Sequence, residues 1–284
     1  MPGTSLVLTV DVEEWFHVCG HPVYDLPERW ESFPSRVVPS TERILELLDR
    51  TSSHATFFVL GWVARRHPGL LRRIAEAGHE VGCHGALHRR ATTMTAQEFR
   101  ADLRAARASL EDGCGARITT YRAPEWSLRS ASSPHLAILV EEGFRVDSSL
   151  LAVPPIGDPG NPRRPTVLST PAGDLLEAPP LVGTFFGRPA MLGGGWTSRL
   201  SREVRVTAAV EDALARGVCP VLYLHPWEVD VEHPPMELSP IARLVHFGGR
   251  GRVVPRLTRL LARHRAISLA EAFPAGSVRR EVAA

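Results

Sequence analysis

Two histidines four residues apart, His84 and His88, stand in the segment GHEVGCHGALH at residues 78–88. The run at 80–83 reads as a short strand, so both imidazoles leave one strand end together, and that spacing lets both reach one ion. Neutral imidazole is the commonest protein ligand for zinc and its neighbours. An open catalytic site adds a carboxylate to two or three such ligands and keeps one position for water. In a chain with twelve histidines such a pair alone is equally compatible with two surface side chains. Position is what raises it. Asp11, His84, Arg122, Asp147 and His225 each close a separate predicted strand, and in a β/α barrel those ends meet on the face that carries the active site.

The elements that must hold these residues follow from hydrophobic pattern and punctuation. A first strand ends at Asp11. Residues 15–39 then form a long irregular segment with Trp15, Phe16, Trp30 and Phe33, and loops of that length tend to be functional. A helix from Ser40 carries the stripe Ile44, Leu45, Leu47 and Leu48. A buried strand at 55–60 and a helix at 68–77, closed by Gly78, lead to the histidine strand. Thr95 and Glu98 make a capping box for a helix that runs to about Asp112 and ends at Gly113. A strand at 118–122, a helix from Ser133 to near Gly143 and a short strand at 144–147 come next. Residues 151–195 are rich in proline and glycine, with a hairpin through 170–174. A helix at 201–216, a strand at 221–225, helices at 239–246 and 254–264 and a strand at 266–269 complete the chain. Strand and helix alternate almost throughout, which indicates parallel strands with crossover helices.

Length alone, 284 residues, allows two average domains or one large α/β domain. A hydrophobic content of 44% is ordinary for a globular core. The formal charge of +2, from 33 basic and 31 acidic groups, offers no basic face for nucleic acid. Cys19, Cys83, Cys114 and Cys219 are far apart and contain no C-x-x-C pair, the usage of reduced thiols. The N-terminus lacks a basic region and runs apolar for only a few residues before Asp11, so it reads as a strand rather than a signal peptide. With no apolar run near the roughly 20 residues of a membrane span, the expected location is cytoplasmic.

The strand-end residues also carry a family resemblance. TVDVEEW at 9–15, HGALH at 84–88, YRAP at 121–124, DSS at 147–149 and LHPWE at 224–228, in this order, resemble the five motifs of the NodB-type polysaccharide deacetylases, carbohydrate esterase family four. The Asp-Val-Glu start, the glycines at 193–195 and the His-Pro-Trp-Glu end are similar to the exosortase-associated branch. The likeness runs from about residue 6 to 273. It implies an α/β fold, a distorted (β/α)7 barrel in one domain over 1–284, with a family-specific C-terminal portion from about 155 to 275. It also implies metal-dependent removal of an N-acetyl group from a sugar.

By this resemblance Asp11 is the general base, and Glu13, His84 and His88 hold one divalent ion, zinc first, with cobalt, nickel or manganese as alternatives. A metal there lowers the pKa of a bound water towards 7. Asp11 and Glu13 alternate around Val12 and can point the same way. The family's usual pattern has two adjacent aspartates, so Glu14, otherwise a solvated loop carboxylate, stays open as the other ligand. His225 is the candidate general acid, Asp147 would orient it and keep it protonated, and Arg122 would pair with Asp11. Glu125 stands where the family commonly has an aromatic residue after Arg-x-Pro. Trp15, Trp126, Phe185, Trp196 and Trp227 lie in loops of the same face and suit stacking on sugar rings. The expected partner is an N-acetylated sugar or glycoconjugate, with no nucleic acid, no membrane span, and room for peripheral contact with a lipid-linked substrate. A hydrolase of cyclic imides or ureides on the same barrel is the rival reading.

Overall fold

The computed structural model describes residues 5–185 and 187–274. The expected opening of the first strand at residues 1–4, residue 186 and the end of the chain from 275 lie outside the described residues. β1, Leu6–Val12, has the sequence LVLTVDV with every residue buried, the composition of a strand covered on both faces. It is followed by α1 (Val37–Arg50), β2 (Thr56–Val59), α2 (Gly61–Arg66), α3 (Pro68–Glu76) and β3 (Glu80–Cys83). α4 (Ala96–Cys114), β4 (Thr120–Tyr121), α5 (His135–Glu141) and β5 (Val146–Asp147) come next. Two hairpins follow, β6 (Thr166–Thr170) with β7 (Gly173–Glu177), and β8 (Val182–Phe185) with β9 (Arg188–Met191). The chain then runs through α6 (Gly195–Leu200), α7 (Glu203–Ala215), β10 (Val221–Leu224), α8 (Pro226–Val229), α9 (Pro240–Phe247) and α10 (Val253–Leu261). β11 (Ala266–Ile267) and α11 (Leu269–Ala272) end it.

The strands pair in the order β10-β1-β2-β3-β4-β5-β7, all parallel, with β6 antiparallel outside β7 and β11 alongside the start of β1. The ring closes through backbone beyond β7. Pro180 bridges Val221, Leu181 N–H donates to the Val221 carbonyl at 2.9 Å, and Tyr223 N–H donates to that of Gly193 at 2.8 Å. Seven parallel strands with crossover helices, closed this way, make the expected distorted (β/α)7 barrel type. Their shared direction brings the ends of β1, β3, β4, β5 and β10 to one face.

Several boundaries differ from the sequence expectations, each for a local reason. α1 starts at Val37, and Pro39 falls in its first turn, where a missing N–H goes unused. Residues 15–39 are irregular except for a 3₁₀ turn at Pro27–Ser32 that buries Trp30. The capping box forms as expected, with Glu98 N–H donating to Thr95 Oγ1 at 3.2 Å and Thr95 N–H to Glu98 Oε2 at 2.8 Å. The helix nevertheless continues past Gly113. A Cβ there would stand 2.4 Å from Leu71 Cδ2, so that glycine serves helix packing rather than helix termination. The expected helix at 201–216 is present as α7, starting two residues later, and an unexpected short helix, α6, precedes it and ends at Ser201, whose hydroxyl turns back to the Thr197 carbonyl. No helix of the described residues is long and apolar enough to cross a membrane.

The glycine loop at 193–195 lies flat against β10. A Cβ on Gly194 would meet the Tyr223 carbonyl oxygen at 2.2 Å and its ring at 2.4 Å, and a backbone oxygen inside a strand cannot yield. Gly194→Ala is therefore expected to cost about 2 kcal/mol or more, read as a lower urea midpoint at unchanged slope.

Candidate metal centre and active site

Asp11 and Glu13 leave the end of β1 on the same side, and His84 and His88 leave the end of β3. Glu13 Oε1 lies 3.0 Å from His84 Nε2 and 3.2 Å from His88 Nε2. All three residues are buried, and their ligand atoms fall within 4.8 Å of one another. The ring orientations suit a cation. His84 Nδ1 is 2.8 Å from the Arg122 carbonyl. That carbonyl can only accept, so Nδ1 carries the hydrogen and the Nε2 lone pair faces the centre. His88 Nε2 is buried with no hydrogen-bond partner, an orphan whose need an ion would meet. Burial opposes charge on Glu13. The nearby His88 and His225 outweigh it and hold the carboxyl well below its usual range.

Glu14 points away from this cluster. It is buried rather than solvated, and it accepts from Ser35 Oγ and, at 2.9 Å, from Arg36 N–H at the start of α1. That is the position for a carboxylate at a helix N-terminus. Of the two glutamates, Glu13 is the one whose carboxylate faces His84 and His88, because residues of alternating parity face opposite ways at a strand end.

Arg122, fully buried just beyond β4, donates through Nη1 to Asp11 Oδ1 at 2.7 Å and to Thr9 Oγ1 at 2.8 Å. Its Nε donates to the Ser148 carbonyl at 2.9 Å and its Nη2 to Ser148 Oγ at 2.7 Å. The expected pairing with Asp11 is present. His225, just beyond β10, brings Nε2 to 3.9 Å from Asp11 Oδ2 and 3.7 Å from Glu13 Oε1.

The carboxylate behind His225 is not Asp147. It is Glu228, whose Oε2 lies 2.9 Å from His225 Nδ1 and also accepts the His225 N–H at 2.9 Å. Arg199 donates to the other oxygen. Burial works against the charged His225 ring, but Glu13, then Glu228 and Asp11, outweigh it and raise its pKa. Burial also opposes ionised Glu228, yet Arg199 and His225 take it down to about 2. Asp147 instead sits inside the barrel, opposite Glu177 in the β5–β7 register, and accepts from Ser149 Oγ. Oδ2 of Asp147 and Oε2 of Glu177 have no donor unless one of them is protonated. Burial, chiefly, raises Asp147 to about 6 and pushes Glu177 up as well, so the pair retains a proton. The sequence reading missed Glu228, although the His-Pro-Trp-Glu spacing is that of a capping box.

A cleft of about 800 Å³ opens over these groups. Trp15, Trp126, Trp196 and Trp227 line it, but most are not free platforms. His225 and His246 cover the two faces of Trp227 at 4.8 and 4.3 Å, Trp15 stacks on His233, and Trp126 lies against Arg122. Trp196, 39% exposed, is the ring left to meet a ligand. Phe185 is not among the residues lining the cleft, and its ring faces Arg205. Glu125 turns aside to bind Arg90 Nε at 2.7 Å.

Residues 30–144 match the family model described as polysaccharide deacetylase, and residues 148–274 match one described as a domain of unknown function, DUF3473. His84, His88 and Arg122 fall in the first segment, His225 and Glu228 in the second, and Asp11 and Glu13 precede both. A peptidoglycan deacetylase of Helicobacter pylori is 31% identical over 109 residues, 38% of this chain and 36% of that protein. Peptidoglycan-N-acetylglucosamine deacetylase PgdA of Listeria monocytogenes is 37% identical over 84 residues, 30% of this chain and 18% of that protein. The matches thus span less than two fifths of these relatives' length. A structure described as a putative polysaccharide deacetylase from Mycobacterium smegmatis shares the fold, with TM-score 0.64 at 22% identity, covering 99% of this chain and 94% of that one. The segment 30–144 thus matches the polysaccharide deacetylase family, and these findings do not distinguish the exosortase-associated branch.

Two outcomes follow from this geometry. Glu13→Ala, His84→Ala and His88→Ala should each abolish binding of about one divalent ion per chain in dialysis with metal analysis. Glu14→Ala should keep the ion and lose about 1–3 kcal/mol of stability at the α1 cap. The proton shared by Asp147 and Glu177 gives a second test. Folded-state values above the unfolded ones mean that the pair's stabilisation is full below the unfolded value of 3.8 and is lost as pH rises through about 6. The urea midpoint of Glu177→Gln relative to the parent should therefore climb across that window.

Proposed function

We propose that this chain, with a polysaccharide deacetylase domain at 30–144, is a divalent-metal-dependent hydrolase that removes the N-acetyl group of an amino sugar and releases acetate. Its substrates would be a glycan, a glycolipid precursor or a small glycoside. The observation that carries the reading is the convergence of two separate sets of groups within one buried centre: Glu13, His84 and His88 on one side, Asp11 and His225 on the other. We read residues 1–284 as one domain, since strands from both matched segments pair with β1.

Glu13, His84 and His88 would hold the ion, and zinc suits two imidazoles and a carboxylate. When bound, it supplies Lewis acidity for a carbonyl and a lowered pKa for water. The chain's own residues supply the proton traffic. Asp11, fixed through Oδ1 by Arg122, offers Oδ2 to take a proton from the attacking water. His225, raised in pKa and oriented by Glu228, gives a proton through Nε2 to the departing nitrogen, so that the C–N bond breaks to an amine and acetate. Trp196 would stack on the sugar ring.

The test is acetate release from N-acetylglucosamine mono- to tetrasaccharides, their lipid-linked forms and polymeric chitin or peptidoglycan, beside a panel of cyclic imides and ureides. Turnover of the N-acetyl sugars is the expected result, highest on the short or lipid-linked forms, and turnover confined to the cyclic amides would replace the reading. His225→Ala should lower kcat by roughly 10²- to 10⁴-fold with ion content intact. A general acid acts while protonated, so activity falls as pH rises through the His225 value. Because Glu228 helps to raise that value, Glu228→Gln should move this alkaline limb to lower pH. An unmoved limb would remove His225 from the acid role.

A further inference from the structure

We infer that Cys19 is a positioning residue for His88, fixing the ring in the form that presents Nε2 to a metal ion. The inference rests on the metal-centre reading and adds a residue to it. Cys19 stands in the irregular segment after β1, and its Sγ makes two contacts with one residue. It lies 3.0 Å from the His88 carbonyl, to which the thiol donates, and 3.3 Å from His88 Nδ1. With its one hydrogen committed to the carbonyl, the sulfur meets Nδ1 as an acceptor. Nδ1 therefore carries the ring hydrogen and Nε2 keeps its lone pair. That Nε2 is the buried atom without a partner, 3.2 Å from Glu13 Oε1.

The same sulfur also restrains the backbone. His88 has φ of +53°, in the left-handed region that a non-glycine residue occupies at a cost and keeps only when its surroundings impose it. The thiol on the His88 carbonyl is one such restraint. Cys19 is itself anchored, because its carbonyl accepts from Arg90 Nη2 at 3.1 Å and Arg90 is held by Glu125. The glutamate that occupies the place of an aromatic residue after Arg-x-Pro thus supports the ring of a candidate ligand through Arg90 and Cys19. His84 obtains the equivalent orientation from the Arg122 carbonyl. The two imidazoles are fixed by unrelated means, a backbone oxygen for one and a thiol for the other. Outer partners of this kind are worth 10- to 100-fold in metal affinity.

The experiment is titration of the ion-free full chain with Co²⁺, reading the visible absorption of the bound ion and the dissociation constant. Cys19→Ala should bind 10- to 100-fold more weakly. Cys19→Ser, whose hydroxyl can donate to the carbonyl and accept from Nδ1, should stay within a few-fold of the parent. Long-range ¹H–¹⁵N spectra of the ion-free protein, recorded at a pH where the His88 ring is neutral, should show its hydrogen on Nδ1 in the parent and in Cys19→Ser, and a mixture of tautomers in Cys19→Ala. Parental affinity in Cys19→Ala would overturn the inference, as would equal weakening in Ala and Ser variants that share one His88 tautomer, since the loss would then come from packing alone. Failure of every form, the parent included, to bind Co²⁺ would instead overturn the metal-centre reading on which this one stands.

Discussion

One buried guanidinium ties the two halves of this centre together. Arg122 is placed by β4 inside the barrel mouth, and a charge there is tolerated only if it is paired and hydrogen-bonded. Thr9, Asp11 and Ser148 answer four of its five N–H groups, and the guanidinium lies 4.3 Å from the Phe58 ring centroid. Its side chain fixes Asp11, the proposed base, while its backbone carbonyl sets the tautomer of His84, a proposed ligand. Both halves thus depend on the short β4 being in register between β3 and β5. Removal of one partner from such a buried pair typically costs 3–5 kcal/mol, so the arrangement binds catalytic geometry to barrel integrity.

Much of the barrel was legible because its signals are local. Largely apolar runs mark β1, β2 and β10, Gly78 and the following Glu80–Cys83 mark β3, and the box Thr95–Glu98 marks the start of α4. The strand-end placement of Asp11, His84 and His225 follows from the strands so marked. β4 and β5 are harder, since each pairs over two residues and draws its extended shape from its neighbours. The hairpin of β8 and β9 went unread for a similar reason: the proline and glycine of residues 151–195 read as loop there, while tertiary pairing made strands.

The misplaced carboxylate shows where sequence reasoning stops. Asp147 lies at the end of β5 and Glu228 three residues beyond His225, and periodicity gives no way to tell which of the two that histidine will meet. The deciding facts are a cross-strand register, which sets Asp147 opposite Glu177, and the short turn after β10, which folds Glu228 back on its own i–3 neighbour. The aromatic residues failed for the same cause. Four tryptophans do gather at the cleft, but rings also pack on rings, and three are spent on His225, His246, His233 and Arg122.

The charge balance of the centre carries the argument a step further. Asp11, Glu13 and Glu228 bring three carboxylates into a buried volume that contains the guanidiniums of Arg122 and Arg199. Each arginine is committed to one carboxylate, Arg122 to Asp11 and Arg199 to Glu228, and neither contacts Glu13. The uncompensated carboxylate is therefore the one that faces two imidazoles through a single oxygen. In a low-dielectric site that charge must be neutralised by a proton shared with His88 and His225 or by a cation. Raised values for both histidines beside a lowered Glu13 are the first of these solutions. A divalent ion would compete with the protons on His88, and its affinity would accordingly rise with pH. His225, on the far side of Glu13 and held by Glu228, can keep its proton when the ion arrives, which is the division of labour that an acid beside a metal requires.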